Sequence, residues 1–181
     1  MTILDFFEQS TGKWFSQRTS YHLARQGQWH QSDKTDLFIS PLAQGDSDLL
    51  RICQASKLDD SQLLGGLRIE WNQTPQKKAG SSLMMALATS PDAAEGLLLR
   101  VANAPGQMPV LGQYGVNPDG SVTLISRTPG LYAEERLWFA APNLRLRTSL
   151  MRQGDTGFEN SSFYSEIRMI PMPDKPEQAA A

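Results

Sequence analysis

The stretch AEERLWFAAPNLRLRTS, residues 133–149, carries two carboxylates, Glu134 and Glu135, and three guanidinium groups, Arg136, Arg145 and Arg147. Around them it reads as two apolar strands. Charges in such a setting do one of two things. They form cross-strand Glu–Arg pairs on a wet outer face, with Leu144 and Leu146 inward, or they point into a cavity and hold a charged ligand. Pattern alone favours the wet face.

Other chemistry is sparse. The chain has two histidines, His22 and His30, and one cysteine, Cys53, so a His/Cys metal cluster is not expected and no metal site is assigned. Neither a G-x-S-x-G elbow nor a phosphate loop occurs. Gly65-Gly66 stands in a strand-like run without the other glycines of a dinucleotide fingerprint. Cys53 falls on a helix face among leucines, where a buried thiol is inert.

Composition narrows the class further. A chain of 181 residues suffices for one domain with a real core. Its net charge of −2 offers no attraction to a polyanion, so no nucleic-acid partner is expected. A single cysteine excludes an internal disulfide. The opening MTILDFFEQS lacks the basic region of a signal peptide. No apolar run approaches the roughly 20 residues of a membrane helix. A cytoplasmic location and no membrane partner are the default expectation.

The elements that must position the charged strands can be read in outline. Ile3, Phe6 and Phe7 recur at helical spacing behind Thr2, which predicts a short amphipathic helix ending by Gly12. WFSQRTSYHL, rich in aromatic and β-branched residues, predicts a strand. Leu49, Leu50, Cys53 and Leu58 follow Asp46 and Ser47, two N-cap residues, and predict a second short helix. Beyond residue 62 the runs LLGGLRIEW, SSLMMALATS, GLLLRVAN, VLGQYGV, SVTLISRT, YAEERLWF, LRLRTSLM and SFYSEIRMI are short and evenly spaced. VNPDGSV, residues 116–122, is a hairpin turn. Many short strands with regular turns predict an all-β sandwich or closed barrel. One domain over residues 1–171 is expected, with a Pro-rich polar tail at 172–181 that is disordered. Small closed barrels are filled by side chains or hold one small ligand, which makes ligand holding the natural function.

FFEQSTGKWFSQRTSYHL, AEERLWFAAPNLRLRTS and SFYSEIRM together resemble the S-type phycobiliprotein chromophore lyases. The resemblance extends over nearly all of residues 3–170. It implies a lipocalin- or fatty-acid-binding-protein-like antiparallel barrel of about ten strands closed by an N-terminal helix. Gly12-Lys13-Trp14 also looks like the lipocalin G-x-W element. The implied activity is to bind a linear tetrapyrrole, a bilin, without covalent attachment and to assist its thioether linkage to a cysteine of an apo-phycobiliprotein subunit. The bilin, phycocyanobilin among the candidates, is then substrate and no cofactor is held tightly. The apo-phycobiliprotein is the acceptor partner, and a homo-oligomer is left open. The rival reading is a non-catalytic carrier of a fatty acid or other amphipathic carboxylate.

The resemblance also implies site residues. Its family places an acidic residue ten positions before an arginine, the spacing of Glu135 and Arg145. Glu135 becomes the candidate catalytic carboxylate. Arg18, Trp71, Arg145 and Arg147 become bilin-binding candidates, with His22 and Ser149 in second rank. A bilin's propionates suit guanidinium groups, its pyrrole N–H groups suit a carboxylate, and its conjugated body suits an aromatic face. With the resemblance, the cavity reading of the charged strands prevails. A regular two-residue loop at Pro142-Asn143 would put Glu134 on the face of Arg145, whereas a longer or bulged connection puts Glu135 there. Proline's fixed φ disfavours the first. Trp14 is expected to pack at the barrel base. Glu166 and Arg168 are expected to form a structural pair closing the last strand, outside the site.

Overall fold

Helix α1 (Ile3–Ser10) begins at Thr2, whose hydroxyl accepts from the Asp5 N–H while the Asp5 carboxylate accepts from the Thr2 N–H. This reciprocal cap satisfies two donors that a helix N-terminus otherwise leaves open. The helix buries Ile3, Phe6 and Phe7. The computed structural model describes residues 1–22, 30–72, 79–103, 107–154 and 158–170. The expected tail at 172–181 lies outside them.

Ten antiparallel strands follow: β1 (Gly12–His22), β2 (His30–Ala43), β3 (Leu63–Trp71), β4 (Gly80–Leu87), β5 (Glu95–Ala102), β6 (Val110–Val116), β7 (Val122–Thr128), β8 (Leu131–Ala141), β9 (Leu144–Gln153) and β10 (Phe158–Arg168). Each pairs with its neighbours in sequence, and β1 pairs with β10 to close the barrel. Closure removes free sheet edges. A second helix, α2 (Ser47–Ala55), is capped by Asp46, whose side chain accepts from the N–H groups of Asp48 and Leu49. The Asn117–Gly120 turn closes with the Gly120 N–H donating to the Asn117 carbonyl at 2.9 Å, Gly120 having a φ of +78°.

Two apolar cores share the sheet. Inside the barrel, α1 packs with Trp14, Ile39, Leu67, Met84, Leu98, Val122, Leu124 and Leu137. Outside it, Leu49, Ile52 and Cys53 of α2 cover Leu63, Met85, Leu87 and Leu99. Strands β4 and β5 are therefore apolar on both faces, which accounts for their unbroken runs LMMAL and LLL. Cys53 is fully buried on this outer side. Burial, then the nearby Asp60 and Asp59 carboxylates, push its thiol above its ordinary pKa, which keeps it unreactive.

Strand β2 was not legible in the pattern. Its inward side chains share the faces of Arg18 and Trp71 and include Asp33 and Thr35, so HQSDKTD lacks the apolar alternation that marks a half-buried strand. The β8–β9 connection turns on Pro142-Asn143 with a register shift between Phe139 and Ala141. That irregularity settles the parity: Arg145 faces Phe139 and Ser149 faces Glu135, so Glu135, not Glu134, shares the inward face.

Candidate functional site

Helix α1 plugs one end of the barrel. Phe6 meets the Phe139 ring edge-on at 5.5 Å, and the Trp14 indole N–H donates to the Ser10 carbonyl at 2.8 Å. Trp14 is thus the expected base residue. Arg168, expected to pair with Glu166, instead donates to the carbonyls of Gln9 and Thr11 at the C-terminal end of α1. A cation there complements the helix dipole, and α1 has no basic residue of its own in its last turn.

Glu166 is the second half of that correction. It lies opposite Arg145 in the β9–β10 ladder, and direct cross-strand partners meet more closely than residues two apart on one strand. Arg145 Nε donates to Glu166 Oε2 at 2.6 Å, and Ser16 Oγ donates to Oε1 at 3.2 Å. Arg147 approaches the same carboxylate at 3.7 Å. Glu166 is fully buried and inside the barrel, so it belongs to the site and not to an outer structural pair.

From there an alternation of charge crosses the interior. Arg147 Nη1 also donates to Glu135 Oε1 at 3.4 Å, and Arg100, reaching over from β5, donates to Glu135 Oε2. Arg147 further stacks its guanidinium 3.6 Å from the Tyr164 ring centroid. On the β1–β2 wall, Arg18 pairs with Asp33 at 2.5 Å. Among these residues four guanidinium groups face three carboxylates. Burial alone would raise the pKa of Glu135, but Arg100 and Arg147 outweigh it and hold the carboxyl below its ordinary value. Glu166 follows the same logic, burial being outweighed by Arg145 and Arg147. Both are carboxylates at neutral pH.

Two chambers border this network. One of about 380 Å³ is lined by Ser16, Arg18, Asp33, Thr35, Leu37, Trp71, Arg147 and Tyr164. The other, of about 210 Å³, lies against α1 between apolar residues such as Phe6, Phe7, Met84 and Leu124, with Arg100, Arg145, Arg147 and Glu166 on its polar side. Leu37, Trp71 and Arg147 border both. A body with an apolar middle and carboxylate arms fits such a space. It can lay a conjugated surface on Trp71 and offer its arms to Arg18 and Arg147.

Of the residues singled out from sequence, Arg18, Trp71 and Arg147 meet in the larger chamber, and Arg145 lines the smaller one behind its bond to Glu166. Glu135 stands between Arg100 and Arg147 with its side chain 12% exposed, whereas the Glu166 side chain is at 0%. Glu166 lines the smaller chamber, whereas Glu135 lines neither and stands behind Arg100 and Arg147. Ser149 and His22 share the inward faces of Arg147 and Arg18 by register, but neither lines a chamber. Sequence reasoning missed Arg100, Asp33, Tyr164 and Ser16. The only signal for Arg100 was its being the sole charge in GLLLRVAN. Among the described residues, no group of three His, Cys, Asp or Glu side chains could hold a metal ion, and no helix is long and apolar enough to cross a membrane.

Comparison with known proteins gives a consistent result. The model of the family described as CpeS-like protein matches residues 2–169. A chromophore lyase CpcS/CpeS of Thermosynechococcus vestitus is 41% identical over 173 residues, 93% of each chain. A phycocyanobilin lyase subunit, CpcS, of Picosynechococcus sp. is 28% identical, covering 93% of this chain and 87% of that one. The solved S-type phycobiliprotein lyase CPES of Guillardia theta superposes with a TM-score of 0.78 at 27% identity over 95% of both chains.

Proposed function

The chain belongs to the CpeS-like protein family, and from that membership and the cavity we propose that it is a chromophore lyase which binds a linear tetrapyrrole and passes it to a cysteine of an apo-phycobiliprotein. The observation that carries this reading is the meeting of Trp71, Arg18 and Arg147 around one chamber, with Glu135 held ionised behind Arg147.

Each group answers one part of the ligand. Arg18 and Arg147 receive the propionates, since a guanidinium fork matches a carboxylate. Trp71 lies along the conjugated body. Glu135 accepts from the pyrrole N–H groups and stabilises a protonated chromophore. Arg145 works from behind, holding Glu166 and, through it, the wall that carries Arg147. Ser149 and His22 lie on the flanks of these positions. The protein orients the bilin and excludes competing water, and oriented delivery is worth several kcal/mol. The acceptor's sulfur bonds to the exocyclic ethylidene carbon, the double bond there is consumed, and the thiol proton ends on the neighbouring ring carbon. Nothing leaves. Phycocyanobilin is the proposed bilin and the cytoplasm the proposed compartment.

Cys53 takes no part, being buried under α2 on the far side of the sheet. Mixing the protein with phycocyanobilin and, separately, with a long-chain fatty acid tests the reading. A red-shifted, sharpened bilin band that fatty acid does not displace, followed by transfer to an apo-subunit that survives Cys53→Ser, is the expected result. Tight fatty-acid binding with an unchanged bilin spectrum would establish a carrier instead.

A further inference from the structure

Arg100 is the one charged side chain that the β3–β7 wall sends inward among the described residues, and its reach ends on Glu135. The wall around it is apolar: Leu67, Ile69, Met84, Leu98 and Leu124 share its face. A guanidinium set in such a wall is costly unless it has a partner, and Glu135 Oε2 is that partner. A third of its side chain remains exposed, yet its Nε, like that of Arg147, is buried without a hydrogen-bond partner, and its guanidinium makes this one bond.

The two arginines on Glu135 are not equivalent. Arg147 holds Oε1 at 3.4 Å, is shared with Glu166 at 3.7 Å, stacks on Tyr164 and borders both chambers. It is loosely held by several partners and stands where a ligand carboxylate arrives. Arg100 borders only the smaller chamber and is bonded to Glu135 alone. We infer that Arg100 is a positioning residue: when Arg147 turns to a ligand propionate, Arg100 keeps Glu135 ionised and aimed at the pyrrole nitrogens. This rests on the proposed function for its ligand. The exchange of partners it describes is a property of the three side chains themselves.

That property explains why two guanidinium groups are spent on one carboxylate. Burial favours the neutral acid. A Glu135 left by Arg147, with no second cation, would take up a proton and lose its acceptor strength. Arg100 prevents this without itself contacting the propionate.

Infrared spectroscopy and titration test it together. In ligand-free protein, Arg147→Met should leave Glu135 ionised, while Arg147→Met combined with Arg100→Met should show a protonated carboxyl band that Glu135→Gln removes. In titrations with phycocyanobilin, Arg100→Met should cut the red shift as Glu135→Gln does, with an affinity loss of no more than about tenfold. Arg100→Lys should restore most of both. The loss should vanish in a Glu135→Gln background, and in an Arg147→Met background, where Arg100 is the remaining cation bonded to Glu135, it should persist with the bilin dimethyl ester. In that Arg147→Met background, a loss that disappears with the ester would make Arg100 a direct propionate contact and overturn the assignment, as would additivity with Glu135→Gln. A wild type that fails to bind bilin would sink the functional reading, while the infrared result would still decide the role of Arg100. Should Arg100→Met not fold, Arg100→Gln serves in both arms.

Discussion

Arg145 and Glu166 face one another across the β9–β10 ladder, Nε to Oε2 at 2.6 Å, with 6% and 0% of their side chains exposed. Two charges so far from water are tolerable only together, because each alone would carry an uncompensated desolvation cost. Around them Ser16 and Arg147 complete the carboxylate's partners.

Removing one member should therefore cost far more than removing both. Arg145→Met is expected to lower stability by about 3–5 kcal/mol, as for other broken buried pairs, and Arg145→Met with Glu166→Met by much less. Urea denaturation of Arg145→Met, Glu166→Met and the double variant measures the difference. A double-variant loss equal to the sum of the two single losses would show that the pair contributes no coupling.

Acid should expose the same chemistry. Glu135 and Glu166 sit below the ordinary carboxylate pKa in the folded protein, so the unfolded chain takes up protons first, near about pH 4.3. The stability they contribute is present above that pH and is lost as pH falls through their folded values. A urea midpoint that is level from neutrality to about pH 5 and then drops is expected. Glu166→Gln should flatten the drop, and an unchanged acid limb in that variant would remove Glu166 from the explanation.

Optical and binding effects should separate in the bilin complex. Glu135→Gln keeps the volume and removes the charge, so it should shift the bound absorption more than the affinity. Arg18→Ala and Arg147→Ala should weaken free-acid bilin by roughly ten- to a hundredfold, from the loss of charged hydrogen bonds. Esterifying both propionates should erase most of that difference. Variants that bind free-acid bilin like wild type would put these arginines outside the binding contact.

Gly80 should prove as sensitive as a contact residue. It lies opposite Trp71 in the β3–β4 ladder, and a Cβ there would come within 2.5 Å of the indole Cζ2. Gly80→Ala must push the ring toward the chambers at a cost of about 1–3 kcal/mol, the scale of overpacking. A shifted Trp71 emission and a broadened bound-bilin band are expected. A Trp71→Phe background should suppress both, and if the broadening survives there the indole is not the cause.

Much of the barrel was legible because its outer rows alternate or its runs are short and punctuated, as in VLGQYGV and YAEERLWF. What escaped did so for identifiable reasons. Strand β2 faces the ligand chamber with Asp33 and Thr35, so function replaced its apolar pattern. Arg100 was hidden because α2 makes β5 apolar on both faces, and LLLRV then has no parity to read. Glu166 was paired with Arg168 by proximity in sequence, whereas a strand's neighbours across the ladder are nearer than its own next-but-one residue. Arg18 and Trp71 came from resemblance, and Arg147 from sharing a strand face with Arg145, since charge spacing alone favoured a wet outer face.

The cap that Arg168 places on α1 binds positions 157 and 159 residues apart in sequence. During synthesis, then, Ile3, Phe6 and Phe7 leave the ribosome long before the strand that secures them. Barrel closure by β1 and β10 waits on the same late segment, and contacts between distant positions form slowly. Every nascent chain passes through an interval in which a greasy helix and two open sheet edges coexist. The apolar helix and the unpaired edges of that interval are the surfaces on which aggregation starts and which chaperones cover.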